Sequence, residues 1–267
     1  MSGIALLAFD LDGTLIDRTL TIAPRVLDAV ARARAQGVRG CIVTGRMFRA
    51  AVQFARQLDF EAPVICYQGA AIVDPASDEV LQHTPLAGEV VRRLIAHCKA
   101  DGKHLQLFKN DRYYVEEENS FSDLYAKLSQ ARPIVVSSLE TEFARSPATK
   151  AVIIDTSERS AQYAGALQTA FAHEAYVTRS YPEFTEVLDA RINKGEALRF
   201  VAGVLGISME RVMAVGDSWN DIPLLTAAGL GVAMGSAPPE VQRVADAVVG
   251  EYAQDGVAEA IEKYVLQ

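Results

Sequence analysis

Two aspartates stand two residues apart in Phe9-Asp10-Leu11-Asp12-Gly13-Thr14-Leu15, directly after the apolar run from Ile4 to Phe9. If strand geometry continues past that run, Asp10 and Asp12 project to the same side, because successive side chains of a strand alternate. Carboxylates held side by side repel, so the pair calls for a cation, a shared proton, or both. In isolation, a strand followed by an Asp-Gly turn would read the same way. Three further polar clusters argue against that plain reading. Val43-Thr44-Gly45-Arg46 closes a second apolar run, Asn193-Lys194-Gly195 opens a helical pattern, and Val215-Gly216-Asp217-Ser218-Trp219-Asn220-Asp221 joins a late apolar run to another helical pattern. Taken singly, each has a local explanation as a turn threonine, a surface lysine or a helix N-cap. Together they supply a hydroxyl, an ammonium and two more carboxylates at strand and helix ends, where open α/β sheets bind ligands.

Charge counting narrows the chemistry. Asp10, Asp12, Asp217 and Asp221 would bring four negative charges into one crevice, and Lys194 alone does not balance them. Oxygen ligands with no His or Cys among them suit Mg²⁺, which accepts carboxylates, keeps several waters and takes up a substrate phosphate oxygen. Zinc is disfavoured by the same donor set. Even with Mg²⁺ and Lys194 the crevice stays negative, which favours one carboxyl remaining protonated as a general acid, with Asp12 the candidate. The four histidines, His83, His97, His104 and His173, are scattered through the middle of the chain without a paired metal spacing. Gly229, Gly231 and Gly235 do not make a dinucleotide fingerprint, and no P-loop is present.

The elements that must position these residues follow from periodicity. Apolar runs at Ile4 to Phe9, Val38 to Val43 and Val64 to Tyr67 read as buried strands, alternating with helices at Pro24 to Gln36 and Phe48 to Gln57. The first helix carries Pro24 near its start and Gly37 just past its end. Toward the C-terminus come helices over Lys194 to Leu205, Trp219 to Ala227 and about Asp255 to Val265, with strands at Arg211 to Val215 and Gly229 to Val232. That alternation predicts a parallel sheet with helices on its faces. The middle differs in texture. Short strands at Leu105 to Lys109 and Arg112 to Glu116 flank Asn110-Asp111, a hairpin turn by composition. A helix over Gly88 to Lys99 and strands at Ala151 to Asp155 and Tyr176 to Thr178 complete a second, α+β domain expected over 82–187, inserted into a core made of 1–81 and 188–267.

Composition bounds the function classes. The chain has 267 residues, is 50% hydrophobic and 22% charged, and carries a net charge of −8. It is large enough for one large or two modest domains with a substantial core. The acidic balance and the lack of a Lys/Arg run argue against nucleic acid or an anionic membrane as partner. Cys41, Cys66 and Cys98 are an odd number at wide spacing inside apolar stretches, as expected of buried thiols in a reducing compartment. With no secretory signal pattern at the start and no spanning apolar run, a cytoplasmic protein is expected.

The four polar segments together resemble the haloacid dehalogenase superfamily, and specifically its Cof-type sugar-phosphatase-like branch. FDLDGTL is similar to the first motif of that superfamily, VTGR to its second, NKGEAL to its third and GDSWND to its fourth. The stretch from Gly229 to Ala258 resembles the branch's tail. The resemblance implies a Rossmann-like parallel-sheet α/β core with an inserted α+β cap between the second and third motifs. It implies that Asp10 is the nucleophile that forms an aspartyl phosphate, and that Asp12 is the acid-base. Mg²⁺ would be held by the Asp10 carboxylate, the Asp12 main-chain carbonyl and Asp217, with Asp221 as ligand or outer partner. Thr44, Asn220 and the Gly13 amide would bond phosphoryl oxygens, with Lys194 neutralising charge and Gly45 and Arg46 on the substrate side. One departure stands out: the branch usually has Asn before the Gly of Tyr67-Gln68-Gly69, where this chain has Gln.

The implied activity is that of a Mg²⁺-dependent phosphatase acting on a small phosphorylated metabolite, as a monomer or small homo-oligomer. A phosphomutase with the same residues, or a regulatory protein that merely accepts phosphate on Asp10, are the alternatives. The latter would need neither Asp12 as an acid-base nor a domain-sized insertion.

Overall fold

The computed structural model describes residues 3–17 and 19–266, and the chain divides into two compact units, residues 1–81 with 193–267 and residues 82–192. The first half of the larger unit opens with strand β1, Leu6–Phe9, every residue of which is buried. Helix α1, Pro24–Ala35, buries Val26, Ala29, Val30 and Ala33 on one stripe and starts with Pro, whose missing N–H costs nothing there. Strand β2, Arg39–Ile42, helix α2, Phe48–Gln57, and strand β3, Val64–Cys66, follow, with β4, Ala71–Val73, antiparallel to β3. Strand β5, Val80–His83, ends this half.

The inserted unit runs through helix α3, Gly88–Ala100, strands β6, His104–Lys109, and β7, Arg112–Val115, helix α4, Ser120–Ser129, strand β8, Ile134–Val135, and helix α5, Leu139–Glu142. Strand β9, Lys150–Ile154, helix α6, Ser157–Ala170, and strands β10, Ala175–Tyr181, and β11, Phe184–Asp189, complete it. Its six strands form one sheet in the order β10-β11-β9-β6-β7-β8, largely antiparallel. Asn110 and Asp111 both have positive φ, the geometry that lets a two-residue turn match the twist of its strands. Leu94, Ile95, Leu107, Ile153, Leu167 and Val187 pack between the sheet and its helices.

The chain then returns to the larger unit with helix α7, Lys194–Leu205, strand β12, Val212–Gly216, helix α8, Ile222–Ala227, strand β13, Leu230–Ala233, helix α9, Pro239–Gln242, strand β14, Ala247–Val248, and helix α10, Gly256–Tyr264. The five-stranded sheet has the order β14-β13-β12-β1-β2 and is parallel throughout. Strand β1 therefore lies between an early neighbour, β2, and a late one, β12. The connections leave β1 on opposite sides, which opens a crevice at the carboxyl ends of these strands. Leu6, Ala8, Cys41, Leu198, Val201, Val212, Ala214 and Val232 lie in the interior around the sheet, all essentially unexposed.

Several elements differ from the periodicity reading. Trp219–Ala227 is not one helix: Trp219–Asp221 is a 3-10 turn and the α-helix begins at Ile222. A Ser218–Asp221 capping box starts the turn, and Pro223 stands in the first turn of the α-helix. Strand β10 runs beyond Thr178 to Tyr181 and pairs with β11, where the polar Thr185, Glu186 and Asp189 conceal a fully buried strand. Among the described residues no helix is long and apolar enough to cross a membrane.

Candidate active site

Asp10 follows β1 directly and prolongs its ladder by one bond, its N–H donating to Val215 O at 3.0 Å. Asp217 follows the adjacent strand β12, so two parallel strands in register deliver two carboxyls to the same edge of the sheet. Lys194 arrives from the opposite direction. Helix α7 runs back against the strands, and its N-terminus is capped by Asn193, whose side chain accepts from Glu196 N at 2.9 Å. Gly195 lets this helix start approach the α8 segment closely, since a Cβ there would stand 2.3 Å from Pro223 O.

The ammonium of Lys194 donates to Asp10 Oδ1 at 2.5 Å and to Asp221 Oδ1 at 2.6 Å, with Lys194 and Asp221 wholly buried. Carboxylate oxygens of Asp10, Asp217 and Asp221 all lie within 4.8 Å of one another. Burial pushes the Asp10 carboxyl up to about 7; the Lys194 ammonium opposes that rise, and the charges of Asp221 and Asp12 add to it. Burial also pushes Asp217 well up, reinforced by Asp10 and Asp221. Burial by itself would lower the Lys194 ammonium, but Asp10 and Asp221 hold it up.

Three clustered carboxyls against one ammonium leave a surplus of negative charge that a divalent cation would relieve. The donors are all carboxylate oxygens, which fits Mg²⁺. Asp10 and Asp217 are the side chains free to hold it. Asp221 is heavily used already: Oδ2 accepts from the N–H groups of Asp217 and Ser218, both at 3.0 Å, while Oδ1 takes Lys194. Its position is that of an anchor for the turn and the lysine.

The remaining expected residues lie close by with altered partners. Both oxygens of Asp12 accept from Arg46, from Nε at 2.7 Å and Nη2 at 2.6 Å. Arg46 had been expected on the substrate side; β2 ends beside β1, which brings its guanidinium fork onto the carboxylate in the bidentate geometry the two groups favour. The Gly13 amide is likewise redirected. It donates to Ile16 O at 2.8 Å, closing the loop after β1, and is not left for a phosphoryl oxygen. What Gly13 does provide is room: φ is +85°, and a Cβ there would stand 2.5 Å from Asp217 Oδ2. Thr44 is buried, its N–H donating to Ile65 O at 2.8 Å and its hydroxyl accepting from Arg46 N at 3.1 Å. Asn220 donates from Nδ2 to Gln68 Oε1 at 2.9 Å, and its buried Oδ1 has no partner. Gly45 lies against the Gln68 amide, so close that a Cβ would stand 2.2 Å from Nε2.

Two residues gain importance that sequence reasoning did not assign. Thr14 donates its hydroxyl to Asp217 Oδ1 at 3.0 Å and so orients that carboxylate. Its place inside FDLDGTL was the available signal. Gln68 is the other, signalled by standing where Asn is usual.

A haloacid dehalogenase-like hydrolase family model matches residues 7–261. The pyridoxal phosphate phosphatase YbhA of Escherichia coli (strain K12) is 30% identical over 270 residues, covering 97% of this chain and 98% of that protein. The 5-amino-6-(5-phospho-D-ribitylamino)uracil phosphatase YcsE of Bacillus subtilis (strain 168) is 30% identical over 265 residues, covering 98% of this chain and 96% of that protein. Among solved structures, a haloacid dehalogenase-like hydrolase from Bacteroides thetaiotaomicron superposes with a TM-score of 0.84 at 28% identity, covering 97% of this chain and 99% of that chain.

Proposed function

The chain belongs to the haloacid dehalogenase-like hydrolase family, and on that premise we propose that it hydrolyses small phosphate monoesters with Mg²⁺ through an aspartyl phosphate on Asp10. The observation that carries this reading is the Lys194 ammonium held between Asp10 and Asp221, beside Asp217, at the carboxyl ends of β1 and β12.

In this reading an Asp10 carboxylate oxygen attacks phosphorus, and the bond to the ester oxygen breaks. Asp12 gives the departing oxygen a proton and then takes one from the water that cleaves the acyl phosphate, regenerating Asp10 and releasing phosphate. The bidentate pair with Arg46 occupies both Asp12 oxygens and favours the ionised carboxylate, so in this reading the guanidinium releases one oxygen before Asp12 carries the proton to the leaving group. Lys194 offsets the charge between nucleophile and phosphoryl group, and Thr44 and Asn220 are the nearby hydroxyl and amide for phosphoryl oxygens. When bound, Mg²⁺ would be held by the Asp10 and Asp217 carboxylates and the Asp12 main-chain carbonyl, and would supply electrostatic stabilisation to the transferring group. Asp221 acts by holding Lys194 and the Asp217 amide in place.

The test is a panel of small phosphate esters incubated with purified protein and Mg²⁺. It includes sugar phosphates, flavin mononucleotide, pyridoxal phosphate and 5-amino-6-(5-phospho-D-ribitylamino)uracil. Release of inorganic phosphate is expected from at least one, and Asp10→Asn should abolish it while leaving the fold intact. Undiminished release by the Asn variant would refute the nucleophile assignment. Transfer to a second sugar hydroxyl without free phosphate would identify a mutase.

A further inference from the structure

The turn between β3 and β4 has an unusual backbone. Tyr67, Gln68 and Gly69 are consecutive and all have positive φ, at 52°, 60° and 105°. Left-handed backbone is disfavoured in a non-glycine residue because its Cβ crowds the following carbonyl oxygen, and two non-glycine residues bear it here. Tyr67 is 4% exposed and Gln68 is unexposed, so both residues are enclosed by neighbouring segments. Strain of this kind persists where surrounding contacts over-determine the conformation.

Those contacts reach three of the segments that carry chemistry. Tyr67 N donates to Arg46 O at 3.1 Å and Gln68 N to Thr44 O at 3.0 Å, tying the turn to the loop after β2. The Gln68 amide fills the space that a side chain at Gly45 would need. A Cβ at Gly69 would stand 2.7 Å from Asn193 O, so the turn also seats against the start of α7, beside Lys194. Finally, Gln68 Oε1 accepts the Nδ2 bond of Asn220 at 2.9 Å. That is the only hydrogen bond the Asn220 side chain makes among the described residues, because Oδ1 has none.

We propose that Gln68 is a positioning residue for phosphoryl transfer: its side-chain oxygen holds the Asn220 carboxamide and so fixes the 217–221 turn against the loop carrying Thr44. The proposal rests on the function given above, in which Asn220 and Thr44 meet phosphoryl oxygens. The length of the side chain matters, since an Asn at this position is one methylene short of the contact. Without the bond the Asn220 amide keeps no fixed orientation, and a donor out of place by a fraction of an ångström loses much of its effect on a transition state.

The test is a double-mutant cycle with Gln68→Met, Asn220→Ala and the pair, all with Mg²⁺ present. Methionine keeps the length and volume of glutamine and removes the polar end. Gln68→Met should lower kcat about tenfold with KM changed less than about twofold, and should weaken binding of inorganic phosphate measured by calorimetry. In the Asn220→Ala background the same substitution should cost less than about twofold, because the group it positions is gone. Multiplicative losses would overturn the proposal, since a residue that only stabilises the fold acts equally in both backgrounds. Unchanged kcat in Gln68→Met would overturn it too. Should that variant fail to fold, Gln68→Asn enters the same cycle with the same expected coupling. A wild-type protein that hydrolyses esters but shows no coupling sinks this inference alone. One that neither hydrolyses esters nor binds phosphate sinks the functional reading, and this inference with it.

Discussion

The surplus of carboxyls around Lys194 predicts a steep and one-directional pH dependence of metal affinity. Asp10 is pushed up to about 7 in the metal-free protein, and Asp217 is pushed up as well. Both must be ionised to hold Mg²⁺, so protons and metal compete for the same oxygens. For one such carboxyl the apparent affinity weakens about tenfold for each pH unit below about 7, and more steeply where both groups are protonated. Above that region it levels off. At a Mg²⁺ concentration about a hundredfold above Kd the metal adds about 2.7 kcal/mol of stability, and a tenfold weaker Kd leaves about 1.4 kcal/mol. For a chain of this size each kcal/mol is about 2–4 °C in Tm.

The sign for the metal-free protein is the reverse. A carboxyl raised in the folded state binds its proton more tightly there than when unfolded. Its contribution therefore stabilises at low pH and is lost as pH rises from the unfolded value of 3.8 toward about 7. Thermal melts and titration calorimetry with and without Mg²⁺ between pH 5.5 and 8.5 test both halves. Calorimetry in buffers of different ionisation enthalpy should show protons released on binding at pH 6 and few at pH 8.5. A metal affinity that stays flat across the range would refute the electrostatic reasoning.

Two further predictions follow from the same contacts. Lys194→Met removes the ammonium paired with both Asp10 and Asp221, and breaking a buried pair by deleting one partner costs about 3–5 kcal/mol. Urea unfolding should show that loss without metal and partial recovery with Mg²⁺, and ester hydrolysis should fall by at least about a hundredfold. Gly13→Ala forces a Cβ to within 2.5 Å of Asp217 Oδ2 at a φ of +85°. It should lower stability by about 1–3 kcal/mol and weaken Mg²⁺ binding about tenfold, read by melts and calorimetry. An unaltered metal affinity would show that Gly13 does not make room for Asp217.

Much of the core could be read from local pattern. Fully buried parallel strands appear as short apolar runs, and the helices between them carry their own stop signals, as Pro24 and Gly37 do for α1. The inserted unit was less legible. Its strand β11 carries Thr185, Glu186 and Asp189 among its six residues, yet all six are buried. Glu186 is paired there with Lys150 at 2.5 Å. A buried ion pair between strands leaves no trace in hydrophobic periodicity, because its two halves look like surface residues until they meet.

The site divides in the same way. From sequence alone came the acids after apolar runs, the lysine at a helix start and the charge imbalance that asks for a divalent cation, since each depends on residues close together in the chain. Which partner each group takes was decided only by the tertiary structure. Arg46 turns to Asp12 across 34 positions, Asn220 to Gln68 across 152, and Thr14 to Asp217 across 203, while the Gly13 amide closes its own loop. Strand order and helix packing set these distances, and a hydrogen bond or ion pair a few ångströms long is decided by such distances and not by the type of residue alone.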